Sequence, residues 1–114
     1  MNVDLRGRAH DKQKKSAGNY TKASGLSSGM PYWTNSDGTY ALWFKEGMWM
    51  IGYKSDLGTA TCVLHSTNSP PCPESVGSSW KYWDGDALEW VDAQGNAYDG
   101  KIYQGKNKQF INAK

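Results

Sequence analysis

The chain has 114 residues, 38% hydrophobic and 21% charged, with a formal net charge of +2, which is room for one domain and one modest core. The charge is unevenly laid out: residues 1–24 hold six Lys/Arg against two acids (+4), residues 25–100 three against nine (−6), and residues 101–114 four against none (+4). An acidic middle argues against nucleic-acid docking by the folded part, which would need Lys/Arg on the contact surface, and no run of about 18 apolar residues supplies a membrane span.

In chain order, residues 1–18 are rich in Lys, Gly and polar groups and nearly free of large apolar side chains. Such a segment offsets little of its ordering entropy, so a disordered basic tail is predicted there. It also lacks the apolar run of a signal peptide, so the expected setting is intracellular, unless the chain is an excised fragment of a larger protein. Residues 19–104 read as a single β domain, and 105–114 as a second mobile basic tail.

Inside that domain, strands are expected over 19–24 and 30–34, then a tight turn at Asn35-Ser36-Asp37-Gly38. Segments 39–45 and 48–54 form a hairpin around the two-residue connection Glu46-Gly47. A strand over 59–66 is rich in Thr, Val and Leu, and a loop over 67–79 carries Pro70, Pro71 and Pro73. Segments 79–83 and 87–92 make a second hairpin across Asp84-Gly85-Asp86, and a turn around Gln94-Gly95-Asn96 leads to a last strand over 97–103. The fold class is all-β: a small antiparallel meander of six to eight strands, curled into a barrel or sandwich around an aromatic core, with mobile basic termini.

Six Trp and seven Tyr crowd this domain, and strand alternation assigns them to faces. Tyr40, Leu42 and Phe44 share one face and Ala41 and Trp43 the other; Trp49, Ile51 and Tyr53 oppose Met48, Met50 and Gly52. Both faces are apolar, so the sheet is curled, covered on both sides, or left with an exposed aromatic face. Most rings are accounted for by core packing. The residues out of phase, Trp33, Trp43 and Trp83, are the candidate ligand-binding platform, because exposed Trp dominates binding hot spots.

The ordered motifs Met30-Pro31-Tyr32-Trp33, Asp37-Gly38-Thr39-Tyr40-Ala41-Leu42-Trp43, Gly47-Met48-Trp49-Met50-Ile51-Gly52, Pro71-Cys72-Pro73 and Trp80-Lys81-Tyr82-Trp83-Asp84-Gly85 resemble a little-characterised aromatic-rich β domain. That domain recurs as a module in large proteins of protists and marine invertebrates. The resemblance spans residues 19 to 92. It implies a unit that is copied and appended to other domains, as binding modules are, and it carries over no catalytic residue.

Other chemistry finds little footing. Cys62 and Cys72 enclose nine residues and are a candidate disulfide. In an oxidising compartment it would staple the Pro-rich loop and contribute about 2–3 kcal/mol; in a reducing one Cys62 is a buried thiol and Cys72 an exposed one. Cys62, His65 and Cys72 fall one ligand short of a structural zinc site, and on a strand Cys62 and His65 face opposite ways. No orienting acid accompanies a Cys/His pair, His10 lies in the tail, and Asp84, Asp86 and Glu89 read as a solvated turn rather than a hydrolytic pair. Asp84, Asp86, Asp92 and Asp99 lack the calcium-loop spacing. Asn19-Tyr20-Thr21 is a glycosylation sequon that matters only in a secreted chain. The expectation is therefore a non-catalytic module, without cofactor or metal, that recognises a protein or glycan through an aromatic surface. The alternative is a structural spacer domain with no ligand of its own.

Overall fold

The computed structural model describes residues 1–98, 101–104 and 109–112. The elements are β1 (Asn2–Arg6), α1 (Gly7–Gln13), β2 (Gly18–Ser27), β3 (Met30–Asn35), β4 (Tyr40–Lys45), β5 (Met48–Tyr53), β6 (Leu64–Ser66), β7 (Trp80–Asp84), β8 (Glu89–Asp92), β9 (Gln94–Tyr98), β10 (Lys101–Gln104) and β11 (Gln109–Asn112). Short 3-10 turns cover Lys14–Ser16, Lys54–Asp56 and Pro73–Val76. No described helix is long and apolar enough to cross a membrane.

Nine strands form one antiparallel sheet in the order β8-β7-β6-β5-β4-β3-β2-β1-β9, and β10 pairs with β11 separately. The middle is the expected meander. Its β4–β5 hairpin pairs Lys45 with Met48 across Glu46 and Gly47, both at positive φ (53° and 78°), the backbone form that matches the twist of the strands. The β2–β3 turn repeats this geometry at Ser28 and Gly29 (52° and 78°), and a register shift between Lys22 and Leu26 bends that pair. The Asn35–Gly38 turn closes with Gly38 N–H on Asn35 O at 3.0 Å.

The sheet curls into a half-barrel because β8 and β9 stand at opposite margins yet are joined through Ala93 alone. Inside the curl lies the main core, with Tyr20, Leu42, Trp49, Ile51, Leu64 and Tyr82 all buried. Trp33 and Phe44 lie edge-to-face with Trp49, at 5.9 Å and 5.0 Å. A smaller cluster of Ala41, Trp43 and Met50 sits on the outer face, packed against Tyr32, Met48, Leu57 and Cys62. Alternation therefore sorts the hairpin residues as read, and the outer face is covered by the crossing segment 57–62. That segment takes in the first half of the strand expected over 59–66; only Leu64–Ser66 pairs as β6.

Two further expectations are corrected. Residues 1–18 are not a disordered tail. Val3 and Leu5 alternate into the core, Ala9 follows from α1, and β1 pairs with β9 over five positions, Asn2↔Tyr98 to Arg6↔Gln94. Three apolar side chains at the right spacing suffice once a partner strand is present. For the same reason Gln94-Gly95-Asn96 is no turn: it is the part of β9 facing β1. Of the tail expected over 105–114, residues 109–112 form β11, and 105–108 and 113–114 lie outside the described residues.

Leu5→Ala should lower stability by about 2–4 kcal/mol in a urea titration, as for other core leucines, whereas a disordered tail would leave the midpoint unmoved. Gly52 is the second sensitive point. A Cβ there would lie 3.0 Å from Cys62 Cα, 3.0 Å from Trp43 Cη2 and 3.2 Å from Thr61 O. Gly52→Ala must push the covering segment off the sheet and should cost about 1–3 kcal/mol.

Candidate functional site

The three candidate tryptophans separate. Trp43 is 0% exposed, its indole N–H donating to Thr59 O at 2.9 Å beneath the crossing segment; it is structural and is withdrawn from the platform. Trp33 pairs across with Leu42 on the inner face and packs half-buried against Trp49, so it belongs to the rim of the core. Of the three, Trp83 alone is both on the outer face and partly open to solvent, in phase opposition to the buried Trp80 and Tyr82.

Trp83 has neighbours that the candidate trio did not include. It pairs across the hairpin with Trp90, and the rings meet edge-to-face at 5.5 Å and 64°. Trp90, 38% exposed, also meets His65 of β6 at 4.5 Å and 71°. His65 Nδ1 lies 2.9 Å from Ser66 O, which fixes the ring. Beside them Lys81 Nζ contacts Asp92 Oδ1 at 3.0 Å. The result is an outward-facing row, His65–Trp90–Trp83, on strands whose opposite face is filled by Leu64, Trp80 and Tyr82. The signal for Trp90 lay in the hairpin: a short turn after Trp83 brings Trp90 opposite it, on the same face.

The base of this row is tied to the N-terminal segment. Arg8 Nε contacts Asp84 Oδ2 at 3.1 Å, Lys12 Nζ lies 3.8 Å from Asp84 Oδ1 and also bonds Asp86, and Gln13 Nε2 donates to Trp83 O at 2.8 Å. Asp84 is itself buried and accepts from the backbone N–H groups of Asp86 (3.0 Å) and Ala87 (3.2 Å). Burial pushes its pKa up, but the Ala87 N–H, the Arg8 guanidinium and the Asp86 N–H outweigh that, and its carboxyl is held below its ordinary value. The opposed charges of tail and middle thus meet within one molecule.

The candidate disulfide is not formed: Cys62 and Cys72 are both free thiols. Cys62 lies against the outer cluster, where burial pushes its pKa up to about 11, far from a reactive thiolate. Cys72 Sγ lies 3.3 Å from Ser75 Oγ. Among the described residues no group of three or more His, Cys, Asp or Glu is placed to hold a metal ion.

In comparison with known proteins, the chain matches no family model, no curated protein and no solved structure.

A depressed Asp84 pKa means that its contribution to stability is complete above the unfolded carboxyl value near 3.8 and is lost as pH falls through the lower folded value. Urea midpoints should therefore drop as the pH falls below about 4. In Asp84→Asn that acid-side drop should shrink, with a lower midpoint already at neutral pH; an unchanged acid limb would show that Asp84 is not its source.

Proposed function

We propose that the domain is a non-catalytic binding module whose recognition surface is the outer face of β6–β8, centred on Trp90 and Trp83 with His65 beside them. The observation that carries this reading is the placement of two tryptophans on the solvent side of strands whose core side is already full. Exposing such rings costs solvation and adds nothing to the interior, whereas rigid, partly exposed Trp supplies contact area at low entropy cost. The resemblance of residues 19–92 to an appended module points the same way.

Between a protein and a glycan, ring orientation favours a protein. Rings inclined at 64° and 71° offer no coplanar faces on which consecutive sugars could stack, but they form a stepped apolar surface suited to side chains. Lys81 and Asp92 give it a polar rim.

Selection of a random peptide display library on the wild-type chain, alongside a panel of β-linked glucose, N-acetylglucosamine and mannose oligosaccharides, tests the reading. Peptides should be enriched, should shift tryptophan emission, and should lose at least about tenfold in affinity for Trp90→Ala, as hot-spot truncations do. Enrichment of no ligand, or ligands that bind Trp90→Ala unchanged, would leave the spacer-domain alternative in possession.

A further inference from the structure

Strand β8 ends its side of the nine-stranded sheet, and among the described residues no strand pairs with its other edge. The register tells which backbone groups face that edge. Ala93 N–H donates to Trp80 O at 2.8 Å, in line with the pairs Lys81↔Asp92, Tyr82↔Val91, Trp83↔Trp90 and Asp84↔Glu89. Hydrogen-bonded pairs alternate along an antiparallel ladder. Ala93, Val91 and Glu89 therefore turn their backbone groups to β7, and Trp90 and Asp92 turn theirs outward. The bond from Trp83 N–H to Val63 O at 2.9 Å agrees: Trp83 faces the β6 side, which leaves Tyr82 to face β8.

Natural sheets blunt such an edge with charged side chains, especially lysine, with proline, with a bulge or by keeping the strand very short. The four residues of β8, Glu89-Trp90-Val91-Asp92, hold no lysine or proline, and their two charges are both carboxylates. Asp84 and Asp86 are already met by Arg8 and Lys12, so the edge itself carries Glu89 and Asp92 against Lys81, a balance of −1. Carboxylates at the edge repel a second copy of it and attract a basic strand. Next to it Leu88 is 73% exposed and holds a left-handed φ of 57°. Glycine or asparagine would suit that turn better, so Leu88 is an exposed apolar side chain beside the edge that the hairpin itself does not use.

We infer that the open edge of β8 accepts an extended, Lys/Arg-rich segment of a partner protein as an added strand. The inference rests on the aromatic-face reading and specifies its partner. The outward N–H and C=O groups of Trp90 and Asp92 pair with the guest backbone; on the outer face its cations meet Asp92 and lie over the Trp90 ring, and on the opposite face its apolar side chains meet Val91.

The probe is the capped pentapeptide Lys-Val-Lys-Val-Lys, titrated into the full chain and followed by backbone amide NMR. Amide shifts should concentrate on residues 89–92, the affinity should fall with salt, and the Glu-Val-Glu-Val-Glu counterpart should not bind. N-methylation of alternate amides in the probe should weaken binding about tenfold. Asp92→Pro removes an outward N–H and no bond to β7, and should do the same, while Asp92→Asn should weaken binding less and flatten the salt dependence. If Asp92→Pro does not fold, the N-methylated probe on the wild-type chain decides. Equal binding of the N-methylated and parent probes would overturn strand addition in favour of charge attraction alone. So would absence of shifts at 89–92 while display-selected peptides still depend on Trp90, a result that leaves the aromatic-face reading standing. If neither the probe nor any selected ligand binds, both readings fall.

Discussion

At Ala93 the chain leaves β8 at one margin of the sheet and at the next residue enters β9 at the other. Adjacent Cα atoms are about 3.8 Å apart, so the two margins must approach each other at this corner. A flat nine-stranded sheet cannot satisfy that connection; a strongly curled one can, with one bent strand serving both margins. The buried Ala93, held by its N–H on Trp80 O, is the pivot. Curling in turn gives the interior enough depth for Tyr20, Trp49, Trp80 and Tyr82. It also creates the need for β1, which fills the place between β2 and β9.

The β4–β5 hairpin lies between two unequal layers. One side faces the enclosed core and the other lies under the 57–62 segment. That segment has no ladder of its own here; it is held by close backbone approach at Gly52, by the Trp43 indole on Thr59 O, and by Leu57 and Cys62 against Met50 and Trp43. Covering stops before β6–β8, and the outer face there keeps its rings half in water. The boundary between structural and available aromatics is thus the place where one loop ends.

Much of this was legible in the sequence where the determinants are local. Period-two alternation sorted Tyr40 to Tyr53 onto two faces, Glu46-Gly47 marked a hairpin, and Trp83 was separated from Trp80 and Tyr82 by phase alone. What escaped depends on contacts distant along the chain. Val3 and Leu5 look too few to order a segment until β9 pairs with it from about ninety residues away. Trp43 has the phase of an exposed ring, and only a covering loop, which carries no periodic signal, makes it interior. Arg8 and Lys12 read as a solvated charge run because their partners Asp84 and Asp86 lie over seventy residues away. Trp90 takes its place from the residue opposite it, Trp83, and the phase of its own strand alone does not single it out.

The pairing of β1 with β9 also has a temporal side. During synthesis β2 through β8 emerge with each neighbour already beside it, so the meander can zip locally and quickly. β1 emerges ahead of β2, yet only Asn2 and Val3 find positions on it, at Asn19 and Gly18. Its main partner, β9, follows only after the whole meander. β1 therefore waits for β2 through β8 to be made, and pairing it with β9 closes a long loop, with the entropic cost that length implies. Until then Val3, Leu5 and the open side of β2 are uncovered together, and that is where the ribosome-bound chain is most vulnerable.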